Sequence, residues 1–234
     1  HHKHIANNNV SDALSREVML YVQLGQYDKA LQVLDNNYFR QWEGVSKAYG
    51  SFVDAHLLRG LGYYEKKNFE KALDEFNKAL EYPGNMMVAR PYRGGRECQI
   101  YYYIGMAQKK MGLLDQAISS FDRSAEQRLR PVLSDLHYYR GMSLLELEKS
   151  RQADEIFSNL IKIGNDRLES QEVDFFAKFG EKETQEDKAS EAWYLIGLGQ
   201  LGKGELQKAR EAFQASVKFN INHVWANVNL KKLK

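Results

Sequence analysis

Hydrophobic and polar positions along the chain repeat in blocks that are typical of paired helices. Four blocks, at residues 55–82, 100–128, 136–163 and 192–219, each hold a helical stretch, a short polar turn and a second helical stretch. The second stretch carries an alanine and, four residues later, a phenylalanine; the pairs are Ala72/Phe76, Ala117/Phe121, Ala153/Phe157 and Ala209/Phe213. A weaker copy with Ala30 and Leu34 precedes them. This self-similarity predicts an all-α fold of about five helix pairs.

A glycine lies twelve residues before each of these four alanines. The glycines are Gly60, Gly105, Gly141 and Gly197. A glycine inside a helix costs about 1 kcal/mol relative to alanine, so its recurrence at one repeat position needs a structural reason. We expect the second helix of each pair to approach the first one closely at this point, because a glycine has no Cβ.

The motifs resemble those of the tetratricopeptide repeat (TPR) family. Trp193-x2-Ile196-Gly197 is the nearest match to the first half of the TPR consensus, Tyr63 fills its tyrosine position, and the Ala-x3-Phe pairs match its second half. The resemblance implies a right-handed superhelix of stacked helix pairs. Residues 222–230 (NHVWANVNL) are similar to the first helix of a further pair, so we expect a capping helix at the C-terminal end.

The spacing between repeats predicts inserted loops. Successive repeat alanines are 42, 45, 36 and 56 residues apart, whereas a bare repeat has about 34 residues. Loops are therefore expected near 36–50, 83–96 and 164–188, within a repeat domain that spans residues 10–234. The last loop contains VDFFAKF, residues 173–179, which we expect to form a short extra helix or strap. Residues 1–9 are interpreted as a disordered tail or tag remnant.

Several strings indicate a narrower resemblance. They are YFRQWEG, ALEYPGN, IYYYIGMA, VDFFA and WYLIGLGQLGKGELQKAREAF. They are similar to the C-terminal TPR region of large bacterial proteins, of the kind found in Bacteroidetes, that carry an upstream β-sandwich domain related to sugar-handling enzymes. This resemblance implies that the chain is the C-terminal piece of a longer protein and that any catalysis lies upstream.

The TPR resemblance also implies a binding surface. In TPR proteins the first helix of each pair lines a concave groove, and the groove positions map here onto Leu61, Tyr64, Tyr102, Met106, Lys109, Tyr138, Met142 and Tyr194. Tyrosine and methionine are favoured at binding surfaces, so the row predicts a groove for an extended or helical peptide. The alternative is that the segment 173–179 or an upstream domain already fills the groove.

One well-known TPR use is excluded by the residues themselves. Clamping the C-terminal carboxylate of a chaperone tail requires Lys and Asn at fixed groove positions. This chain has Leu57, Leu58, Tyr102 and Tyr103 there. A co-chaperone of that kind is therefore not expected.

The net charge and the cysteine content limit the classes of binding partner and the cellular compartments that we expect for this protein. The net charge of +2 gives no electrostatic reason to expect nucleic acid or an anionic membrane as a partner. The single cysteine, Cys98, excludes an internal disulfide and weakly favours a reducing compartment. There is no run of 18 apolar residues, and the first nine residues lack the apolar core of a signal peptide. These features slightly favour the cytoplasm and do not define the cellular compartment further.

The candidate catalytic motifs have structural interpretations. Gly197-Leu-Gly199-Gln-Leu-Gly202 satisfies a dinucleotide fingerprint literally, but a helix and not a strand is expected before it. His56 and His137 occupy one repeat position and are interpreted as packing residues, since no third metal ligand accompanies them. Arg90, Arg93, Arg96 and Arg130 cluster near loops and are interpreted as a solvated rim or a contact to a partner's acids.

The sequence therefore predicts a non-catalytic scaffold, without cofactor or metal, whose partner is a protein or peptide. The alternative function is an accessory or oligomerisation domain of a carbohydrate-active enzyme. The oligomeric state and the partner's identity are not predicted.

Overall fold

A computed structural model describes residues 2–39, 47–170 and 184–233, and these residues form helices joined by turns and loops, with no strand. The elements are α1 (His2–Gln23), α2 (Tyr27–Asn36), α3 (Lys47–Glu65), α4 (Phe69–Lys78), a short 3-10 helix (Gly84–Met86), α5 (Glu97–Lys110), α6 (Leu114–Ala125), α7 (Asp135–Glu146), α8 (Ser150–Glu169), α9 (Gln185–Gly202), α10 (Leu206–Phe219) and α11 (Val224–Lys232). The predicted all-α fold is confirmed.

The loop boundaries differ from the expected ones in two places. Helix α3 begins at Lys47, inside the loop expected at 36–50, and α8 continues to Glu169, so the third inserted segment is shorter than expected. Helix α1 covers residues 2–9, which were expected to be a disordered tail. The prediction of a short helix or strap at 173–179 lies outside the described residues.

Contacts divide the chain into two compact units, His1–Arg128 and Leu129–Lys234. The first unit contains α1 to α6 and the second contains α7 to α11. Each unit has its own buried core, with Phe76 and Phe121 in the first and Phe157 and Phe213 in the second, all at most 2% exposed.

The four repeat glycines contact the four repeat phenylalanines, as predicted. A Cβ added at Gly60, Gly141 or Gly197 would lie 2.5 Å from Cε1 of the phenylalanine in the same pair, and one at Gly105 would lie 2.6 Å from it. These distances are shorter than any van der Waals contact between carbon atoms. The phenylalanine ring therefore occupies the space that a Cβ would need, which lets the two helices of each pair pack closely.

The second unit has an additional close contact, between α8 and α9. A Cβ at Gly199 would lie 2.6 Å from the carbonyl oxygen of Phe157, and one at Gly164 would lie 2.8 Å from that of Ala192. The glycine-rich string in α9 thus serves helix packing on two sides, because Gly197 contacts its own pair and Gly199 contacts the preceding helix. This confirms the interpretation of the string as a packing motif.

The five turns within helix pairs share a backbone conformation. The residue five positions before the repeat alanine has a positive φ in every turn: Gly25 (73°), Lys67 (60°), Gly112 (78°), Glu148 (60°) and Gly204 (76°). This left-handed conformation ends a helix sharply and favours glycine. Two turns adopt it with a side chain present, so the repeat geometry overrides the local preference there.

Candidate interaction surface

The predicted groove residues of the first unit lie on one face of each first helix. On α3, Leu61 is 7% exposed, and the half-buried Tyr64 packs edge-on against Phe69 with ring centroids 5.2 Å apart. On α5, Tyr102, Met106 and Lys109 follow each other at helical spacing. Tyr102 is 8% exposed, whereas Met106 is half-buried and Lys109 is exposed.

Three of the four predicted groove tyrosines pack against the repeat phenylalanine of their own helix pair. Tyr102 lies 6.2 Å from the Phe121 ring, Tyr138 lies 6.0 Å from Phe157, and Tyr194 lies 5.9 Å from Phe213. In each case the phenylalanine belongs to the second helix of the same pair. All three tyrosines are at most 8% exposed, so the tyrosine row is part of the repeat core.

Accessible side chains of the predicted surface are therefore fewer than the sequence indicated. They are the half-buried Tyr64 and Met106 and the exposed Lys109 in the first unit, and the half-buried Met142 on α7 in the second. Met106 and Lys109 are one turn apart on α5 and form its open face. We call Tyr64, Met106 and Lys109 the first-helix surface.

A buried ionic network joins α3 to α4 in the first unit. His56 Nδ1 lies 2.9 Å from Glu75 Oε2, and Arg59 donates to both oxygens of the same carboxylate at 2.8 and 3.0 Å. Arg59 also donates to Asp28 at 2.7 Å. Burial would raise the pKa of Glu75, but the hydrogen bonds from His56 and Arg59 outweigh it and hold that pKa below its usual range. His56 is thus committed to a structural contact.

His137 occupies the same repeat position in the second unit. Its Nδ1 accepts a hydrogen bond from the backbone N–H of Ser134 at 3.1 Å, which satisfies a donor at the start of α7. Burial, and after it the neighbouring charge of Arg140, lowers the pKa of His137. Both histidines therefore serve local structure, as the sequence indicated.

A cavity of about 620 Å³ opens between α5, the end of α6 and the loop before α5. We call it the basic cavity. Its lining includes four arginines and two glutamates together with two tyrosines; these are Arg90, Arg93, Arg123, Arg128, Glu97, Glu126, Tyr92 and Tyr101. Positive charges thus outnumber negative ones on its wall.

The loop arginines singled out from the sequence include only some of the arginines that line this cavity. Arg90 and Arg93 line it, but Arg96 instead donates to Asp54 and Gln99, both at 2.8 Å, and Arg130 belongs to the second unit. The members that were missed, Arg123 and Arg128, lie at the end of α6, some 30 residues after the loop arginines. No spacing in the sequence links the two groups, because a loop-to-helix contact brings them together.

Other candidate chemistry is accounted for by local contacts. Cys98 is fully buried, and its carbonyl oxygen accepts a hydrogen bond from Ser124 at 2.7 Å. In the described ranges 2–39, 47–170 and 184–233, no three His, Cys, Asp or Glu side chains are grouped so that they could hold a metal ion. None of the described helices is long and apolar enough to cross a membrane.

Two helix pairs of the first unit match the sequence profile of a known repeat. Residues 53–82, in α3 and α4, and residues 99–127, in α5 and α6, match models described as "Tetratricopeptide repeat". These two pairs are tetratricopeptide repeats. The TPR resemblance inferred from the Ala-x3-Phe pairs and the glycines is thereby confirmed for this part of the chain.

The chain has a distant similarity to several solved structures. YrrB, described as a TPR protein with an unusual peptide-binding site, is 17% identical, with 93% of this chain and 90% of that one covered and a TM-score of 0.33. The TPR2AB domain of yeast Sti1, in complex with an Hsp90 peptide, is 16% identical, with coverages of 96% and 83% and a TM-score of 0.34. MamA is 20% identical, with coverages of 85% and 91% and a TM-score of 0.31.

At these TM-scores the similarity carries no argument about function or about the arrangement of the helices. The narrower resemblance, to the C-terminal region of large Bacteroidetes-type proteins with an upstream β-sandwich domain, is not supported by these matches.

Proposed function

We propose that the chain is a non-catalytic scaffold whose TPR pairs bind a peptide or a neighbouring protein domain through the first-helix surface. The observation that carries the proposal is the contrast on α5 between Tyr102, which is buried against Phe121, and Met106 and Lys109, which are accessible on the following turns. The buried tyrosine holds the helix in place, so the accessible residues are presented on a rigid support.

The accessible residues suit a peptide partner. Met106 offers an unbranched, polarizable side chain that adapts to different apolar groups. Lys109 is an exposed cation that can approach a carboxylate of a bound segment. Tyr64, on the first helix of the preceding TPR pair, adds an aromatic contact in the same unit. An extended or helical segment with one apolar anchor and an acidic or carbonyl group nearby matches this set.

Photo-cross-linking tests this surface in the full-length protein in its native cells. Met106 is replaced by p-benzoylphenylalanine, and the control replaces Ile118, which is 51% exposed on α6 of the same TPR pair. We expect position 106 to cross-link to one defined segment that position 118 does not reach. Lys109→Glu, introduced together with the photoreactive residue at position 106, should reduce the yield of cross-linked product, because it reverses the charge that faces the bound segment.

The identity of the cross-linked segment separates the two forms of the proposal. A segment of another protein supports an independent scaffold. A segment of the same polypeptide, or of a sugar-degrading enzyme bound to it, supports the accessory or oligomerisation role. Equal cross-linking from positions 106 and 118, or none from either, would show that the first-helix surface is not a binding site. Tyr102→Ala is a poor substitute for this test, because loss of a buried ring lowers stability as well as binding.

A further inference from the structure

Arg90 of the basic cavity lies 3.5 Å from the Glu97 carboxylate, whereas the other three arginines contact aromatic rings. The Arg123 guanidinium lies 5.0 Å from the centroid of the Tyr101 ring, that of Arg128 lies 5.1 Å from Tyr92, and that of Arg93 lies 5.6 Å from Tyr92. None of these three has a carboxylate within 4 Å in the part of the chain that the structure describes. Their positive charge is therefore available to a ligand.

The N–H donors of this cavity are also available. Arg128 donates to the hydroxyl of Tyr92, but Arg93 and Arg123 have no hydrogen-bond acceptor among the described residues. A cation–π contact uses the charge of a guanidinium and none of its N–H donors. The donors of Arg93 and Arg123 can therefore bind an anionic group in the cavity.

The walls of the cavity are held in a defined arrangement. The backbone N–H of Gly94 donates to the carbonyl oxygen of Arg128 at 2.9 Å, which ties the loop to the end of α6. Gly94 has φ of 75°, a left-handed conformation that favours glycine. Glu97 is 7% exposed and accepts a hydrogen bond from Tyr82 at 2.7 Å, so its charge is engaged inside the wall. The cavity is formed before any ligand arrives, which lowers the entropic cost of binding.

We infer that the basic cavity binds an acidic peptide, through Asp or Glu side chains held by Arg93 and Arg123. The planar fork of a guanidinium matches a carboxylate with two parallel hydrogen bonds. The volume of about 620 Å³ lies in the range of ligand sites and exceeds what a single small anion fills. Tyr92 and Tyr101 supply apolar surface for the remainder of the segment.

The charge distribution favours a peptide over a nucleic acid. The exposed Glu126 lines the same cavity and would repel the closely spaced charges of a polyphosphate backbone. The chain as a whole carries a net charge of only +2, which gives little long-range attraction for a polyanion. The exposed Glu126 can accept hydrogen bonds from the backbone N–H groups of a peptide. The arginines and the glutamate of the wall would then both have hydrogen-bond partners in the bound peptide.

This site is separate from the first-helix surface. The cavity is lined by the loop 90–95, by residues at the start of α5 and by the end of α6, and it includes none of Tyr64, Met106 and Lys109. An experiment that rules out binding at one site therefore does not rule out binding at the other.

The test is a binding titration of the full chain with a fluorescein-labelled, amidated peptide of sequence Glu-Glu-Tyr-Glu-Glu, followed by fluorescence anisotropy at low salt. We expect saturable binding with one site per chain. Arg123→Gln should weaken it by about tenfold, because a charge-assisted hydrogen bond is lost. Arg123 is exposed and makes no hydrogen bond to any residue that the structure describes, so the variant should keep the parent's circular dichroism spectrum and melting temperature.

The matched control is Lys71→Gln. Lys71 is also an exposed cation above a tyrosine ring, 5.7 Å from the centroid of Tyr63, but it does not line the cavity. If Lys71→Gln weakens binding as much as Arg123→Gln does, the attraction is general electrostatics and the inference is wrong. It is equally wrong if the peptide Gln-Gln-Tyr-Gln-Gln binds as well as the acidic one. Absence of saturable binding would also refute it, and so would tighter binding of a phosphotyrosine peptide that the acidic peptide cannot displace.

Discussion

The helix pairs α3/α4 and α7/α8 carry the same motif in their first helices and use it differently. Each first helix has His-x-x-Arg at the same repeat position, as His56 and Arg59 in one and His137 and Arg140 in the other. In α3/α4 the second helix places Glu75 between His56 and Arg59, with hydrogen bonds of 2.8 to 3.0 Å to both. In α7/α8 the matching second-helix position is Ile156.

The difference lies in the second helix, which has a carboxylate at this repeat position in one pair and an aliphatic side chain in the other. With Glu75 present, the imidazole and the guanidinium share a buried carboxylate, and the pKa of that carboxyl is lowered in spite of its burial. Without a carboxylate at that position, burial and the charge of Arg140 lower the pKa of His137. A His-x-x-Arg motif in this repeat therefore has no fixed role until its partner helix is known.

The largest effect is expected from removal of the Glu75 carboxylate. Glu75→Leu replaces the carboxylate with an apolar side chain of similar volume, so His56 and the partly buried Arg59 lose their acceptor. This loss should lower the free energy of unfolding by about 3 kcal/mol at pH 7. The measurement is urea unfolding followed by circular dichroism. Ile156→Leu, at the same repeat position of α8, is the control and should cost less than about 1.5 kcal/mol. Similar losses in the two variants would mean that the ionic network contributes nothing specific.

A smaller effect is expected from the titration of His137. Because its folded-state pKa lies below the unfolded value of about 6.5, neutral His137 contributes stability at higher pH. That contribution is lost as the pH falls through the folded-state value. The unfolding midpoint of the parent should therefore decrease more between pH 7.5 and pH 5 than that of His137→Gln, which cannot take up the proton. Parallel pH profiles for the two proteins would contradict this expectation.

The smallest effect, and the most direct test of the comparison, is expected from Ile156→Glu. This change gives α8 the acid that α4 has, and a nearby carboxylate favours the charged imidazolium. The pKa of His137 should rise relative to the parent, as followed by the NMR shift of its Cε1 proton. An unchanged pKa would show that the second-helix position does not face the histidine in this pair, so that the two pairs differ in geometry and not only in charge.

The helix pairs were predictable because their signals are local. The Ala-x3-Phe spacing and the recurring glycine follow from the period of a helix and from the contact between two helices adjacent in sequence, and the Gly60–Phe76 and Gly197–Phe213 contacts confirm them. The left-handed turn residues were not predictable in the same way. Lys67 and Glu148 carry no local signal for a positive φ, and the repeat geometry imposes it.

The candidate surfaces were predictable only in part. Of the positions predicted to line the groove, Met106 is half-buried and Lys109 is exposed on α5, whereas Tyr102, Tyr138 and Tyr194 are buried, which repeat position does not show. That burial depends on how far the phenylalanine of the partner helix reaches toward each tyrosine. Such a distance is a property of packing and not of spacing along the chain.

The sequence by itself determined that this protein is a chain of paired helices and at which repeat positions the two helices of a pair touch. These features depend on residues close together in sequence, whose relative positions the helix period dictates. Only the tertiary structure decided that Glu75 neutralises one His-x-x-Arg motif and that Arg123 meets the loop arginines on one cavity wall. Those neighbours come from different elements, and the charge or burial that a side chain experiences depends on which elements pack against it.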